Sequence, residues 1–315
     1  MPAFMHAKTF LLPVLLCLSV TLEVAEAGCW QNTTCTGPLA ASFPGPWESN
    51  MYSPASRTVS PVRILDASTA FQSGYPGPAQ LNGNGSLLIF DFGQEVGGIV
   101  TVTYTASGEG SLGLAFTEAK NFTGYVSDES NGGGGPDSSL HANITSAEGS
   151  YTMPLEKLRG GFRYLSLFTL TNTNISVDIS SIELEISFQP TWSNLRAYAG
   201  YFDSSDQLLN RVWYACAYTV QANTVPPNTG RAWPPPAEGW LNNAVLGAGD
   251  SVLVDGAKRD RSVWAGDLGI SIPSVLVSTG DLDTVRNALN VQYTNQVRGL
   301  FASLTSFVSQ EVAVC

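Results

Sequence analysis

This sequence contains few charged residues and little positive charge. Only 13% of its 315 residues are Asp, Glu, Lys or Arg, and the acids outnumber the bases 26 to 15, for a formal net charge of −11. Nucleic acids and acidic membrane surfaces are recognised through clustered Lys and Arg. The composition therefore argues against nucleic acid and against an acidic membrane as partners.

Long apolar runs are lacking beyond the N-terminus. Residues 1–27 contain Lys8, an apolar run over 10–22 and a small-x-small site at Ala25 and Ala27, a pattern typical of a secretory signal peptide. A membrane span is the competing interpretation, but the run is shorter than about 18 residues and contains Pro13. We interpret 1–27 as a signal peptide and expect a secreted, extracellular protein without a membrane partner.

Histidine is nearly missing from the chain that would remain after cleavage. It keeps only His141, which argues against Ser-His-Asp catalysis and against a zinc site with two histidine ligands. The sequence also has neither a Cys-x-x-Cys pair nor a Rossmann fingerprint. It therefore implies no cofactor and no metal site, although calcium at Asp- and Gly-rich loops stays open.

Cysteine is sparse as well, and its placement agrees with export. Of five cysteines Cys17 leaves with the signal, and Cys29 and Cys35 enclose a short polar segment, which predicts a disulfide near the new N-terminus. Cys216 lies on an apolar helical stripe and is predicted to be a buried thiol. N-x-S/T sequons predict glycosylation at five positions: Asn32, Asn84, Asn121, Asn143 and Asn174.

The first half of the chain has the pattern of strands. Short β-rich runs broken by Gly, Asn and Ser occupy five stretches: 86–92, 98–106, 111–116, 162–169 and 175–188. Strict alternation over 100–104 and 182–188 is typical of strands with one wet face. This spacing predicts an antiparallel β-sandwich.

After Pro190 the spacing of apolar residues changes from every second residue to every third or fourth. Residues 204–223 predict a helix with Ser204 or Ser205 as its N-cap and with this apolar stripe: Leu208, Leu209, Val212, Trp213, Cys216 and Val220. A linker rich in Pro and Gly covers 226–249, and a second helix is predicted over 263–277. A capping-box pattern at 278–281 predicts a third helix with a second stripe: Leu282, Val285, Leu289 and Tyr293.

The charge that the chain does have is concentrated at 255–267, which reads DGAKRDRSVWAGD. Cleavage of a glycosidic bond needs a carboxylic acid, and pyranose recognition uses carboxylates, Arg and an aromatic face. The segment therefore indicates carbohydrate as the partner. The alternative is a solvated surface, with a turn at Asp255, ion-paired arginines at 259 and 261, and Trp264 in the core.

This segment resembles the active-site signature of the α-L-rhamnosidases among the six-hairpin glycosidases, glycoside hydrolase family 78. Four other stretches are similar to the fungal branch of that family: 90–98 (FDFGQEVGG), 190–194 (PTWSN), 225–231 (VPPNTGR) and 276–281 (LVSTGD). The resemblance covers about 55–297. It implies an N-terminal antiparallel β-sandwich followed by the first helices of an (α/α)6 toroid.

The resemblance also implies a division of the chain. The parts are a signal peptide (1–27), an N-terminal segment (28–57), the β-sandwich domain (58–195), the start of the six-hairpin domain (196–298) and a divergent tail (299–315). Twelve helices of about 11 to 12 residues with their loops need roughly 200 residues or more, and only about 115 follow the sandwich. We expect an incomplete toroid and a truncated chain.

The resemblance implies an inverting acid/base hydrolysis of terminal α-L-rhamnosides. In the family pattern the acid is a Glu within Arg-Asp-Glu-Arg; that Glu is missing here and the loop is one residue shorter, which leaves Asp260 as the candidate catalytic acid. Asp267 would orient Arg261 or touch substrate. The candidate substrate-binding residues are Asp255, Arg259, Arg261, Trp264 and Asp267.

An inverting enzyme needs a second carboxylate as general base. The resemblance places that base far downstream, so we expect little or no hydrolase activity from this chain alone. The alternative function is a non-catalytic carbohydrate-binding β-sandwich protein with a helical appendage.

Overall fold

The computed structural model describes residues 28–31, 33–131, 135–145 and 147–296. The predicted signal peptide, Asn32 and the predicted tail lie outside these residues. Strands occupy the first part of the described chain and three helices occupy the last part. No helix within the described ranges is long and apolar enough to cross a membrane.

Ten strands pair in one antiparallel sheet, in agreement with the predicted β-rich half. They are β1 (Thr58–Val59), β2 (Arg63–Asp66), β3 (Phe71–Gly74), β4 (Gln80–Asn82), β5 (Leu87–Ser107), β6 (Gly110–Thr117), β7 (Leu140–Ile144), β8 (Glu148–Thr152), β9 (Arg159–Leu170) and β10 (Ser176–Ile186). A separate pair joins β11 (Thr224–Val225) to β12 (Val252–Leu253). Short 3-10 helices occur at Pro46–Asn50, Lys120–Phe122 and Leu155–Lys157.

The long strand β5 serves both halves of the sheet. Its residues 87–91 pair with β9, and its residues 98–107 pair with β10. Between them the register slips, and Gly93 and Gly98 have φ of 80° and 157°. A Cβ on Gly98 would lie 1.8 Å from the carbonyl oxygen of Glu185, so only glycine fits. The sequence predicts two separate strands here, over 86–92 and 98–106, whereas the structure has one strand that bends at this corner. The bend brings the two halves of the sheet around a shared core.

The sandwich core is continuous across the corner. Its fully buried members come from both halves of the sheet and include Ile64, Phe90, Val102, Leu114, Leu165 and Ile182. Buried and more exposed positions largely alternate along β10, as the sequence predicts. At about 25 cal/mol for each Å² of apolar surface removed from water, this core is the main source of the stability of the domain.

Three helices follow, close to their predicted positions: α1 (Gln207–Ala222), α2 (Ala265–Val277) and α3 (Leu282–Asn295). The N-cap of α1 is Asp206, whose carboxylate accepts from the amides of Leu208 and Leu209. The predicted cap at Ser204 or Ser205 is therefore wrong by one or two residues. Asp281 caps α3 by accepting from the amide of Thr284.

The predicted apolar stripes of α1 and α3 are mostly exposed. On α1, Leu208, Leu209, Val212 and Cys216 are exposed, so Cys216 is not a buried thiol. The buried face carries Tyr214 and Tyr218 instead. On α3 only Val285 of the predicted stripe is buried; Leu282, Leu289 and Tyr293 are exposed. Both sides of these helices are apolar, and tertiary contacts decide which side is covered.

The N-terminal segment is held against the junction of sandwich and helices. The Arg57 guanidinium is buried and donates to the carbonyl oxygens of Gly28, Ile186, Phe188, Gln189 and Trp192. Burial lowers the pKa of Arg57 to about 10. The sulfur atoms of Cys29 and Cys35 lie 2.08 Å apart, at disulfide distance, as the sequence predicts.

Candidate functional site

The charged segment forms a compact loop between β12 and α2, which we call the motif loop (255–262). The amide of Asp255 donates to the carbonyl oxygen of Ser262 at 3.0 Å, and the amide of Ser262 donates to Oδ1 of Asp255 at 2.9 Å. Helix α2 begins at Ala265, with Trp264 at its N-cap position. The loop is thus closed at its base by the first carboxylate of the motif.

Asp255 has the electrostatic property of a proton donor. Burial raises the pKa of Asp255 to about 6, and the nearby carboxylates of Asp260 and Asp267 contribute in the same direction, against the hydrogen bond from Ser262. A carboxyl group with such a pKa retains a proton in mildly acidic solution. The carboxylates of Asp255, Asp260 and Asp267 are therefore close enough to interact electrostatically.

Asp260 occupies a strained position on the loop. Its φ is 57° and that of Arg261 is 46°, both in the left-handed region that favours glycine. The Asp260 carboxylate is 35% exposed, and its Oδ1 lies 3.7 Å from Nη1 of Arg231. Asp260 is therefore open to a ligand and has a guanidinium beside it.

Arg261 supports the loop from beneath. Its side chain is buried; Nε donates to the carbonyl oxygen of Thr229 at 2.5 Å, Nη2 to Thr229 Oγ1 at 2.9 Å, and Nη1 to the carbonyl oxygen of Ala257 at 2.5 Å. Burial lowers the pKa of Arg261 to about 9. These contacts give Arg261 a supporting position rather than the sugar-facing one predicted for it.

The other predicted ligand-binding side chains have different degrees of exposure. Arg259 and Asp267 are exposed, and Asp267 lies in the first turn of α2. Trp264 is half-buried, and its indole Nε1 is buried without a hydrogen-bond partner. Arg259 and Asp267 can reach a ligand, whereas only part of the Trp264 ring is available for stacking.

Residues of the sandwich complete the surroundings of the loop. The Lys258 ammonium lies 3.0 Å from Oε1 of Glu118 and 3.1 Å from Oδ2 of Asp128. Glu95, at the corner of β5, is exposed, and partial desolvation together with Glu118 raises the pKa of Glu95 to about 7. Residues this far apart in sequence have no shared local pattern, so sequence reasoning missed them.

Two arginines bind the segment that links β6 to β7 and hold it near the motif loop. Arg159 is fully buried; its guanidinium pairs with Asp128 and Asp137 at 2.6 Å each and lies 4.6 Å from the ring centroid of Trp240. Arg231 donates to the carbonyl oxygen of Ser130 and to Oδ1 of Asn131. Arg231 is the last residue of the stretch 225–231, which carries part of the resemblance and could have identified it as a site residue.

Four of the predicted glycosylation sites lie on the sandwich in the described part of the chain. The four that the structure describes have exposed side chains: Asn84, Asn121, Asn143 and Asn174. In the described part of the chain no group of three or more His, Cys, Asp or Glu residues is placed to hold a metal ion.

No protein-family model and no curated protein matches this sequence. Solved structures do. The rhamnosidase from Klebsiella oxytoca, solved with rhamnose bound, is similar over 77% of this chain and 45% of its own, with 18% identity and a TM-score of 0.52. This chain shares its fold. The likeness covers the sandwich and the start of the helical toroid, and the chain spans less than half the length of that rhamnosidase.

Two further rhamnosidases show weaker likeness. The GH78 family rhamnosidase of Bacillus sp. GL1 is 22% identical over 68% of this chain and 19% of its own, with a TM-score of 0.48. The α-L-rhamnosidase from Dictyoglumus thermophilum is 16% identical over 79% of this chain and 23% of its own, with a TM-score of 0.49.

Proposed function

We propose that this chain is the sandwich domain and first helices of a secreted glycoside hydrolase of the α-L-rhamnosidase type, acting on terminal α-L-rhamnosides. One observation carries the proposal. The motif loop holds Asp255, with a pKa of about 6, close to Asp260, a half-buried carboxylate beside the Arg231 guanidinium. A protonated carboxyl and a charged hydroxyl-binding group are what cleavage of a glycoside requires.

The raised pKa favours Asp255 as the proton donor, whereas the sequence favours Asp260. In an inverting reaction the acid protonates the leaving oxygen while a second carboxylate, about 6.5 to 9.5 Å away, activates water. We place that base in polypeptide outside the described residues, so that this chain binds sugar and turns it over slowly or not at all. Asp260 and Arg259 would then hold sugar hydroxyls.

The first experiment measures binding of L-rhamnose to the 315-residue chain by NMR titration, with L-fucose as the matched deoxy-sugar control. We expect rhamnose to bind more tightly than fucose. Asp260→Asn should weaken binding about tenfold or more, because it removes a charge-assisted hydrogen bond. Asp283→Asn, an exposed carboxylate on α3, is the control that should leave binding unchanged.

Equal or undetectable binding of the two sugars would contradict the proposal. Rapid turnover of an aryl rhamnoside by this chain would contradict the part that assigns the base to other polypeptide. Sequencing the transcript beyond residue 315 distinguishes the alternative: rhamnose binding without turnover by a complete 315-residue product would instead support a non-catalytic carbohydrate-binding protein.

Secretion is part of the proposal. Its support is the predicted leader, four exposed sequons and the two sulfur atoms at disulfide distance. N-terminal sequencing of the protein from a eukaryotic secretion host should find Gly28 first, and an intact Met1 would argue against it.

A further inference from the structure

We propose that Lys258 is a positioning residue, which sets the conformation of the motif loop by tying it to the sandwich. This inference concerns the same site and rests on the proposed function for its consequence on ligand binding. Its structural part, the effect of Lys258 on the loop, stands on contacts that can be tested without a ligand.

The ion pairs of Lys258 are unusually well anchored. The side chain is 11% exposed, and its ammonium contacts carboxylates on two segments that follow β6, Glu118 and Asp128. The Asp128 carboxylate is fixed in turn by buried Arg159 at 2.6 Å and by the amide of Glu118 at 2.9 Å. Glu95, on β5, also interacts electrostatically with Lys258. Partial burial and a fixed partner distinguish these pairs from mobile surface pairs.

Lys258 lies near the tip of the motif loop, where the loop touches the sandwich backbone. A Cβ on Gly160, in β9, would lie only 1.7 Å from the carbonyl oxygen of the neighbouring Ala257. The same carbonyl accepts from Nη1 of Arg261. Two contacts therefore hold the tip of the loop against the sandwich. One is the pair of ion pairs made by Lys258. The other is the close approach of the Ala257 carbonyl to the backbone of Gly160, which a side chain at 160 would prevent.

That fixed point matters because the next turn is strained. Two consecutive L-residues, Asp260 and Arg261, have positive φ, a conformation that persists only where surrounding contacts over-determine it. Releasing the tip allows this turn to relax, and the carboxylates of Asp255 and Asp260 then move relative to each other. A displacement of about 1 Å at a binding group is enough to weaken its function by one to two orders of magnitude.

The test compares three lysine variants of the full chain. Lys258→Met keeps most of the stem and removes the charge, Lys258→Arg restores the charge, and Lys120→Met removes an equivalent charge at an exposed site. Hydrogen exchange of the amides in 255–262 reports the loop, and NMR titration with L-rhamnose reports binding. We expect Lys258→Met to speed loop exchange about tenfold and to weaken rhamnose binding about tenfold, with Tm shifted by less than about 2 °C.

Lys258→Arg should return both values to within about threefold of wild type, and Lys120→Met should change neither. In a Glu118→Gln background, Lys258→Met should have a smaller effect, because the two residues act on each other. Gly160→Ala should also loosen the loop, because its methyl group would push the Ala257 carbonyl away from the sandwich without changing any charge. If Lys258→Met destabilises the whole fold, Glu118→Gln alone still weakens the pair and should speed loop exchange.

Loop exchange within about twofold of wild type in both Lys258→Met and Glu118→Gln would overturn the positioning role. Failure of the arginine variant to restore it would do the same. The two proposals fail separately: if the wild-type chain does not bind L-rhamnose while loop exchange responds as expected, the proposed function falls and the positioning role remains.

Discussion

The sandwich and the helical layer differ in how completely they cover their apolar side chains. In the sandwich, residues from both halves of the folded sheet enclose a core that includes Phe90, Leu114 and Ile182, all fully buried. In the helical layer, Leu208 is 68% exposed and Ile270 is 78% exposed. The sandwich closes on itself, whereas the helices present apolar faces that no described residue covers.

The two regions also use charge differently. The sandwich buries Arg159 with Asp137, and both side chains are within 1% of complete burial. The helical layer has Arg286 and Asp283 paired on the exposed surface of α3. The motif loop lies at the boundary between the enclosed sandwich and the less enclosed helical layer.

The largest effect is expected from breaking the buried pair of the sandwich. Arg159→Leu leaves the Asp137 carboxylate buried without its guanidinium, so the free energy of unfolding should fall by about 3–5 kcal/mol. Arg286→Leu is the control, because both side chains of the Arg286–Asp283 pair are exposed; its cost should be no more than about 1 kcal/mol. Urea denaturation measures both, and similar losses for the two variants would contradict this picture.

A matched core substitution compares the two regions directly. Val100 in β5 and Val275 in α2 both have 0% exposure. Val100→Ala should cost about 2–3 kcal/mol, and Val275→Ala about 1–2 kcal/mol, because neighbours in the less enclosed helical layer can move into the cavity. Equal losses in thermal or urea unfolding would show that the helical layer is packed as rigidly as the sandwich.

The boundary between the regions should show a pH-dependent effect. Because the pKa of Asp255 is raised to about 6, the folded protein binds a proton more tightly than the unfolded chain, and ionisation of Asp255 destabilises the fold as pH rises from about 4 through 6. Asp255→Asn should therefore raise the free energy of unfolding at pH 8 by about 1 kcal/mol, after allowance for partial solvent screening.

The stabilisation by Asp255→Asn should disappear toward pH 4, where the wild-type carboxyl is protonated in both states. Urea unfolding at several pH values measures it. A gain that grows as the pH falls would mean that the folded state stabilises the charged form of Asp255 instead.

The smallest effect is expected on the uncovered helical face. Leu208→Gln replaces a side chain that is 68% exposed, so stability should change by less than about 0.5 kcal/mol. The variant should reduce concentration-dependent association, measured by light scattering, because it removes part of an exposed apolar surface. A loss of several kcal/mol would show that this face is packed in solution.

Patterns within one segment predicted the elements well. Alternation identified β10, and the helical period identified α1, α2 and α3 close to their observed bounds. Burial on those helices was predicted less well, because an apolar period locates a face but cannot show what covers it. The aromatic side of α1 packs on the sandwich: Tyr218 lies 5.6 Å from Phe188, ring centroid to centroid, and its hydroxyl donates to the Glu95 carbonyl oxygen.

The candidate site shows the same division between local and tertiary information. The motif 255–267 was found from its composition, and its carboxylates do lie within electrostatic reach of one another. The supporting role of Arg261, the guanidinium of Arg231 beside Asp260 and the Lys258 pairs with Glu118 and Asp128 were not predicted. Each of these contacts joins residues at least 29 positions apart in sequence.

The sequence by itself determined the order of strands and helices, the position of the charged loop and the glycines of the β5 corner, because these depend on periodicity and backbone freedom over a few residues. Only the tertiary structure decided which helix faces are buried, which motif residues are open to a ligand and why the pKa of Asp255 is raised. Burial and electrostatic interaction depend on distances in space, and folding creates those distances between segments that carry no common local signal.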